Sequence, residues 1–379
     1  MNMQMVAGSY LIYHLTGSAA LLGTLSLAHA VPTIVLSLFG GAIADRVQKK
    51  GILFLGLLLS SAVSLGVAIT LTTGFLSREN TGSWWILMLS SLLQGIIMGL
   101  MMPARQSIIP EMVSREQAMN AVALNTLGMN VLSLVAPAAA GFFIDAFGFA
   151  AVYYTITGLN IYAAVFMFFI PHTHQIAIHE GNILADIRDG FKYMLRKRII
   201  LVILIFTLFF VLLSMPYRQL LPIFVDDILK VGATGMGVLM SASGAGAMIG
   251  SLVLANLPSK NRGVILLVSG LLSGVALLGF SFSTSWFGSL AFLFFVGLGQ
   301  TGRVTSSNAL LQSYVEGEYM GRVMSIFMME WGLVSLCTFV AGLMAEVIPV
   351  QWVVGGFALL LVVISILALS FTPSIRKLE

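Results

Sequence analysis

Apolar residues fall in long unbroken runs along this chain, and no alternation of period two marks strands. The runs are 1–15, 20–44, 51–75, 84–103, 118–142 and 148–170, then 199–222, 234–257, 263–282, 285–309, 322–345 and 350–371. A helix crossing a bilayer needs about 20 residues, so every run but the first predicts a full span. Residues 1–15 would rise about 22 Å, short of a hydrocarbon core of about 30 Å. Either translation starts upstream or the first helix is truly shortened. The polar stretch 171–198 separates two sets of six. The pattern predicts an N-terminal helix bundle over 1–170 with a truncated first helix, a cytoplasmic linker over 171–198, and a C-terminal bundle over 199–379. Within the linker, "ILADIRDGFKYMLRKR" (183–198) predicts an amphipathic helix on the inner membrane surface, its basic end facing anionic lipid.

The halves echo each other. "PARQSIIPEMVSREQAMNAVALN" follows the fourth run and "SNALLQSYVEGEYMGRVMSIF" the tenth; the next runs end in "AAAGFFIDAFG" and "FVAGLMAEVIP". The separation of about 200 residues fits a parallel repeat related by an axis along the membrane normal.

Composition agrees. Of 379 residues, 58% are hydrophobic and 9% charged, against about a quarter charged in soluble domains. Mean hydropathy is +0.99. So little polar surface cannot cover so large a core, and lipid must cover the rest. The 38 glycines suit closely approaching helices. The single Cys337 gives neither a disulfide nor a metal site. The net charge of +4 does not indicate nucleic acid; the placement of cations matters more. Sixteen of the nineteen lysines and arginines belong to one side, leaving Arg78, Arg218 and Lys230 for the other. That bias predicts a multi-pass protein of the inner membrane with a cytoplasmic start and C-terminus. Without a nucleophile elbow, phosphate loop or zinc motif, the sequence points to no enzyme, no cofactor and no ATP-driven export.

The strongest local motif is "GGAIADRVQKK" (40–50). Gly40, Gly41 and Ala44 leave a smooth helix face. Asp45 can hold a helix N-terminus or an arginine across a gap, and Arg46, Lys49 and Lys50 follow. The plain alternative is an ordinary basic loop. This phrase resembles the loop 2–3 signature of the major facilitator superfamily. Within it, "LIYHLTGSAALLG" (11–23), "HAVPTIVLSLFGGAIADR" (29–46), "MGLMMPARQSIIPEMV" (98–113), "GVLMSASGAGAMIGSL" (237–252) and "NALLQSYVEGEYMGRVMSIF" (308–327) resemble the drug:proton antiporters that include the macrolide-efflux proteins and the enterobactin exporter. The resemblance implies an all-α fold of two six-helix bundles that alternate access to a central cavity. It implies gating roles for Gly41, Asp45, Arg46, Lys50, Arg105, Pro137, Gly141 and Arg322. "GMNVLSLVAPAAAG" (128–141) resembles the helix 5 antiporter motif, with Ala136, Ala139 and Ala140 where glycines are usual. Pro137 would kink that helix. The loop "LANLPSKNRG" (254–263) lacks the acid of its first-half counterpart.

Polar residues at membrane depth are functional suspects. Glu330, early in the run 322–345, could take up a proton or sit bonded at a helix crossing. Arg303 could line a cavity or snorkel to the interface. Arg105 could anchor loop 4–5 through Glu111 or reach a cavity acid, and Arg218 could serve an outer gate or the interface. Gln94, Asn125, Asn130, Gln300 and Asn308 are cavity or interhelical hydrogen-bonding groups. Phe and Met, 25 and 21 in number, suit an adaptable greasy cavity. Trp84, Trp85 and Trp286 fit interface anchoring. His172, His174 and His179, spaced by two and five, invite a metal reading, but no cysteine lies near and the spacing has no helix period.

These features lead to a monomeric secondary exporter of a bulky amphiphilic small molecule, by proton antiport. A macrolide-like drug would need only a cavity of Phe and Met; an anionic catecholate siderophore would favour Arg303 facing inward. Metabolite uptake or uniport is the alternative within transport. A non-transporting membrane protein disabled by its shortened first helix is the alternative outside it.

Overall fold

The computed structural model describes residues 2–46, 48–80, 82–113, 115–169, 192–257 and 261–371. Among them all regular structure is helical, with no strand. The elements are α1 (Asn2–Thr16), α2 (Ala19–Arg46), α3 (Lys49–Thr72), α4 (Trp85–Met112), α5 (Arg115–Met167), α6 (Arg198–Ser214), α7 (Tyr217–Ile223), a π-helical turn (Phe224–Leu229), α8 (Gly232–Asn256), α9 (Arg262–Phe282), α10 (Trp286–Tyr314), α11 (Gly317–Ala345) and α12 (Val350–Phe371).

Ten stretches among the described residues are long and apolar enough to cross a membrane. One of them, Leu124–Met167, has 44 residues and would measure about 66 Å if straight, twice the need. It is interrupted at Gly148, whose φ of 80° and ψ of 172° end one helix and start another. A side chain there would be strained, so glycine supplies the reversal. The two runs read from the sequence at 118–142 and 148–170 therefore meet at a one-residue break rather than a loop.

Other boundaries shift outward. Helix α4 continues to Met112, α10 to Tyr314, and α11 begins at Gly317. These ends carry polar residues because they pass beyond the apolar zone, which hydropathy reads as loop. The seventh run differs most. α6 stops at Ser214, Pro216 opens α7, and the chain coils on through the π turn to Leu229 before Lys230 turns left-handed at φ 53°. Pro216 has no N–H to continue the α6 ladder, which explains the stop.

The chain divides into two compact units, 1–179 with 231–237, and 180–230 with 238–379. In the first, α2 packs along α4, α3 along α5 and α4, and α1 on α5. In the second, α9 packs along α10 and α12, and α6 on α11 and α12. The second core centres on Phe206, Phe210, Leu266, Leu267, Leu310, Val323, Phe327 and Leu361.

One crossing recurs in both units. A Cβ on Gly95 of α4 would overlap the carbonyl of His29 in α2, and Thr33 Oγ1 donates to the Gly95 carbonyl at 3.0 Å. In the second unit, Cβ atoms on Gly246 of α8 and Gly297 of α10 would overlap the carbonyls of Phe294 and Ser243, and Thr301 Oγ1 donates to the Ala247 carbonyl at 3.1 Å. Each crossing combines backbone-to-backbone approach with a threonine hydroxyl crossing the gap.

Most of the segment 183–198 lies outside the described residues, as do His172, His174 and His179; residues 192–196 are helical.

Candidate functional site

Helices α10 and α11 are joined by Val315 and Glu316 alone. Arg303 lies eleven residues before the α10 end at Tyr314, about 16 Å along the axis. Its side chain is buried and turned to α11 rather than toward that end. Glu330 sits in the middle of the 29-residue α11 rather than early in it, because that helix starts five residues before the predicted run.

The two meet. Arg303 is 1% and Glu330 4% exposed, and Arg303 Nη1 lies 3.3 Å from Glu330 Oε2. Thr207 of α6 donates its hydroxyl to the other carboxylate oxygen, Oε1. Rings close in around the guanidinium, with Cζ 5.4 Å from the Phe210 centroid, 5.9 Å from Trp331 and 6.0 Å from Phe327. A carboxylate and a guanidinium removed from water together form a neutral unit; either one alone would carry a large desolvation cost. Such a pair can change state by accepting one proton on the carboxylate, which leaves a net positive charge.

Arg303 is not saturated by Glu330. Its Nε and Nη2 are buried without hydrogen-bond partners, as are Gln300 Nε2 and Ser307 Oγ on the same helix. Gln300 uses its oxygen instead, accepting from Arg218 Nη2 of α7 at 2.8 Å. Arg218 is thus tied to α10 within its own unit.

The other sequence-derived positions scatter. Gln94 is buried and bonds Ser60 of α3 twice, accepting from Oγ at 3.0 Å and donating to the carbonyl at 3.2 Å. These bonds link α3 and α4. Asn308 donates to Val304 in its own helix at 2.9 Å. Asn125 and Asn130 are exposed. Lys50 donates to the Phe168 carbonyl at 3.0 Å. Arg105 reaches Met129 Sδ at 3.1 Å; Glu111, its expected partner, has a side chain outside the described residues. The side chains of Asp45 and Arg46 and the surroundings of Gly41 are outside them too.

Pro137 and Gly141 of α5 do share a contact. A Cβ on Gly141 would overlap the Ala233 carbonyl, and one on Gly237 the Pro137 carbonyl, so α5 and the first turn of α8 touch backbone to backbone within the first unit. Beside them the Asp145 carboxylate accepts from Thr234 N–H at 2.7 Å, an anionic partner for an otherwise open helix start. Gly128, by contrast, has open space where its Cβ would be.

A further cluster sits at the α10–α11 connection. Lys197 Nζ lies 2.9 Å from Glu316. The Glu316 N–H donates to the Tyr193 hydroxyl at 3.2 Å, and Tyr193 stacks on Tyr319 at 4.1 Å, with Arg322 over the far ring at 5.5 Å. The hydrogen bond and charge of Glu316 hold Lys197 above the usual lysine range. Thr207, Asp145 and Tyr193 carry no signal in the sequence: Thr207 lies in an otherwise apolar run, and the other two sit among ordinary neighbours. Among the described residues no group of three or more His, Cys, Asp or Glu could hold a metal ion.

The sequence model of the Major Facilitator Superfamily matches residues 1–337 and 219–378. The Staphyloferrin A transporter of Staphylococcus aureus (strain NCTC 8325 / PS 47) is 26% identical over 345 residues, 88% of this chain and 82% of that protein. Multidrug resistance protein MdtH of Edwardsiella ictaluri (strain 93-146) is 25% identical over 295 residues, 76% of this chain and 68% of that protein. The inward open conformation of the xylose transporter XylE from E. coli superposes with a TM-score of 0.73 at 13% identity, covering 98% of this chain and 94% of that one. At that identity the likeness concerns the fold.

Proposed function

Because this chain belongs to the Major Facilitator Superfamily, we propose that it is a secondary active exporter of a bulky amphiphilic solute, driven by proton antiport through alternating access. Its family and fold are those of transporters, not of an enzyme. The observation that carries the finer reading is the buried Arg303–Glu330 pair with Thr207, three groups on three helices of one unit.

Glu330 is the proton carrier in this reading. With Glu330 ionised, Arg303 is held on α11 and the α6–α10–α11 packing is neutral. A proton on Glu330 removes that hold and leaves a buried cation, which favours whichever conformation admits water or solute to it. A ligand shifts such an equilibrium only by its differential affinity for the two states, and the proton has one here. The relatives named for staphyloferrin A transport and multidrug resistance support a siderophore or a drug as cargo. The excess of lysine and arginine in the 46–50, 188–198 and 376–377 segments supports a cytoplasmic C-terminus in the inner membrane. Gly41, Asp45, Arg46, Lys50, Arg105 and Arg322 fall on that side and are assigned to the gate, with Pro137 and Gly141 as a smooth contact for α8. A single chain holds both units, so a monomer suffices.

The test is transport into sealed inside-out vesicles with an imposed proton gradient, offering macrolides, cationic dyes and a catecholate siderophore. Gradient-driven accumulation that is lost in Glu330→Gln is expected. Accumulation that survives both collapse of the gradient and Glu330→Gln would remove Glu330 and antiport together.

A further inference from the structure

We propose that the face of α10 bearing Gln300, Arg303 and Ser307 is the solute's polar subsite, and that it selects an uncharged oxygen acceptor (ester, lactone or amide carbonyl, or ether) over a carboxylate or an ammonium group. This deepens the transport reading and rests on it only for the identity of the ligand as cargo.

The three residues are spaced i, i+3 and i+7, which sets them on one helix face. Together they leave four polar atoms buried and unpartnered: Gln300 Nε2, Arg303 Nε, Arg303 Nη2 and Ser307 Oγ. The large majority of buried side-chain polar atoms in native proteins are paired; three other serine hydroxyls, of Ser64, Ser214 and Ser365, lie singly on other helices, whereas four atoms on one face of one helix mark a place where something else supplies the partners. Three of the four are obligatory donors and the fourth can donate, so the missing partner is an acceptor. An ammonium group, which only donates, has nothing to bind. Arg303 Nε and Nη2 form the side edge of the guanidinium, the edge that grips an oxygen group in two places.

Charge decides between a neutral acceptor and an anion. Glu330 already neutralises Arg303 through Nη1. A second carboxylate on the same guanidinium would place two like charges in surroundings walled by Phe210, Phe327 and Trp331, and like charges at one apolar site are disfavoured. A neutral carbonyl satisfies the same donors and adds no charge, while the three rings accept an apolar body. The expectation that Arg303 recruits an anionic siderophore is thereby weakened, because its charge is taken.

The experiment uses the full chain in nanodiscs at pH 8, with empty nanodiscs as the partition control. Binding is measured by equilibrium dialysis for four probes with one apolar body: methyl 1-naphthylacetate, 1-naphthylacetate, 1-naphthylethylammonium and 1-ethylnaphthalene. The ester is expected to bind at least tenfold tighter than the other three. In Glu330→Gln the carboxylate is expected to overtake the ester, since the guanidinium then lacks its counter-charge. Gln300→Leu with Ser307→Ala is expected to lower ester binding at least fivefold and to leave 1-ethylnaphthalene unchanged. The unsubstituted protein alone can overturn the proposal, by preferring the carboxylate or the ammonium or by showing no ester preference. An unchanged ranking in a folded Glu330→Gln protein also overturns it. Ester preference without vesicle transport would remove the transport reading and leave the subsite; transport without ester preference would do the reverse.

Discussion

Removing one partner of the Arg303–Glu330 pair should destabilise the second unit far more than removing both. In Glu330→Leu the guanidinium, 1% exposed, keeps no counter-charge and no acceptor for Nη1. In Arg303→Met the carboxylate keeps only Thr207. Breaking a buried ion pair one-sidedly costs about 3–5 kcal/mol, roughly a 10²- to 10⁴-fold change in the folded ratio. The double substitution Arg303→Met with Glu330→Leu replaces both by apolar groups among Phe210, Phe327 and Trp331, and such replacements are neutral or stabilising. It should fall within about 1 kcal/mol of the parent, or exceed it. An ordinary hydrogen bond between membrane helices averages about 0.6 kcal/mol in such cycles, so the coupling separates a desolvated ion pair from a mere polar contact. The assay is reversible SDS unfolding in mixed micelles for parent, both singles and the double. Additive single losses, with coupling below about 1 kcal/mol, would refute the reasoning.

Further outcomes can be checked independently. Gly297→Val forces a side chain into the Ser243 carbonyl and should cost about 1–3 kcal/mol by the same unfolding assay. Gly128→Ala, in open space, should cost nothing measurable, although both positions look alike as glycines. Asp145→Ala withdraws the acceptor from Thr234 N–H and should lose about 0.5–2 kcal/mol, seen also as faster hydrogen exchange at the start of α8. With Cys337 replaced by serine, a cysteine at Arg78 should react with a membrane-impermeant maleimide in intact cells and one at Arg196, also exposed, should not; the reverse pattern would invert the topology.

Hydropathy made the spans legible, because each needs a run of lipid-facing residues whatever its neighbours are. Helix ends were less so. The polar tails of α4 and α10 read as loops, since a helix outside hydrocarbon has no reason to be apolar. The interruption at Met215–Pro216 lies inside an apolar run, where hydropathy carries no backbone information, and the π turn, with Asp226 and Asp227, lies just past the end of that run and reads as loop. Among site residues, Arg303 and Glu330 stood out singly as charges at membrane depth, yet nothing in the sequence joins residues 27 positions apart on antiparallel helices. Thr207 was missed because a hydroxyl in so apolar a run has no partner until α6 is set against α11. Gln94 stands out in the sequence for its depth, but its two bonds to Ser60, which link α3 and α4, do not.

The two-residue connection between α10 and α11 has a consequence for how the chain enters the membrane. The stretch Trp286–Tyr314 has the lowest mean hydropathy of the ten, 1.2, and an arginine at a helix centre adds about 2.5–3.5 kcal/mol to the free energy of insertion. During synthesis this helix leaves the ribosome as a poor candidate for lipid. Its countercharge follows 27 residues later on α11. The two helices are therefore suited to partition as a hairpin, with the opposite charges meeting before either faces acyl chains. The preceding span, Arg262–Phe282, has a hydropathy of 2.3 and meets no such delay. A chain stalled between Tyr314 and Glu330 would expose a lone buried-type arginine to the insertion machinery, the kind of intermediate that membrane quality control is placed to find.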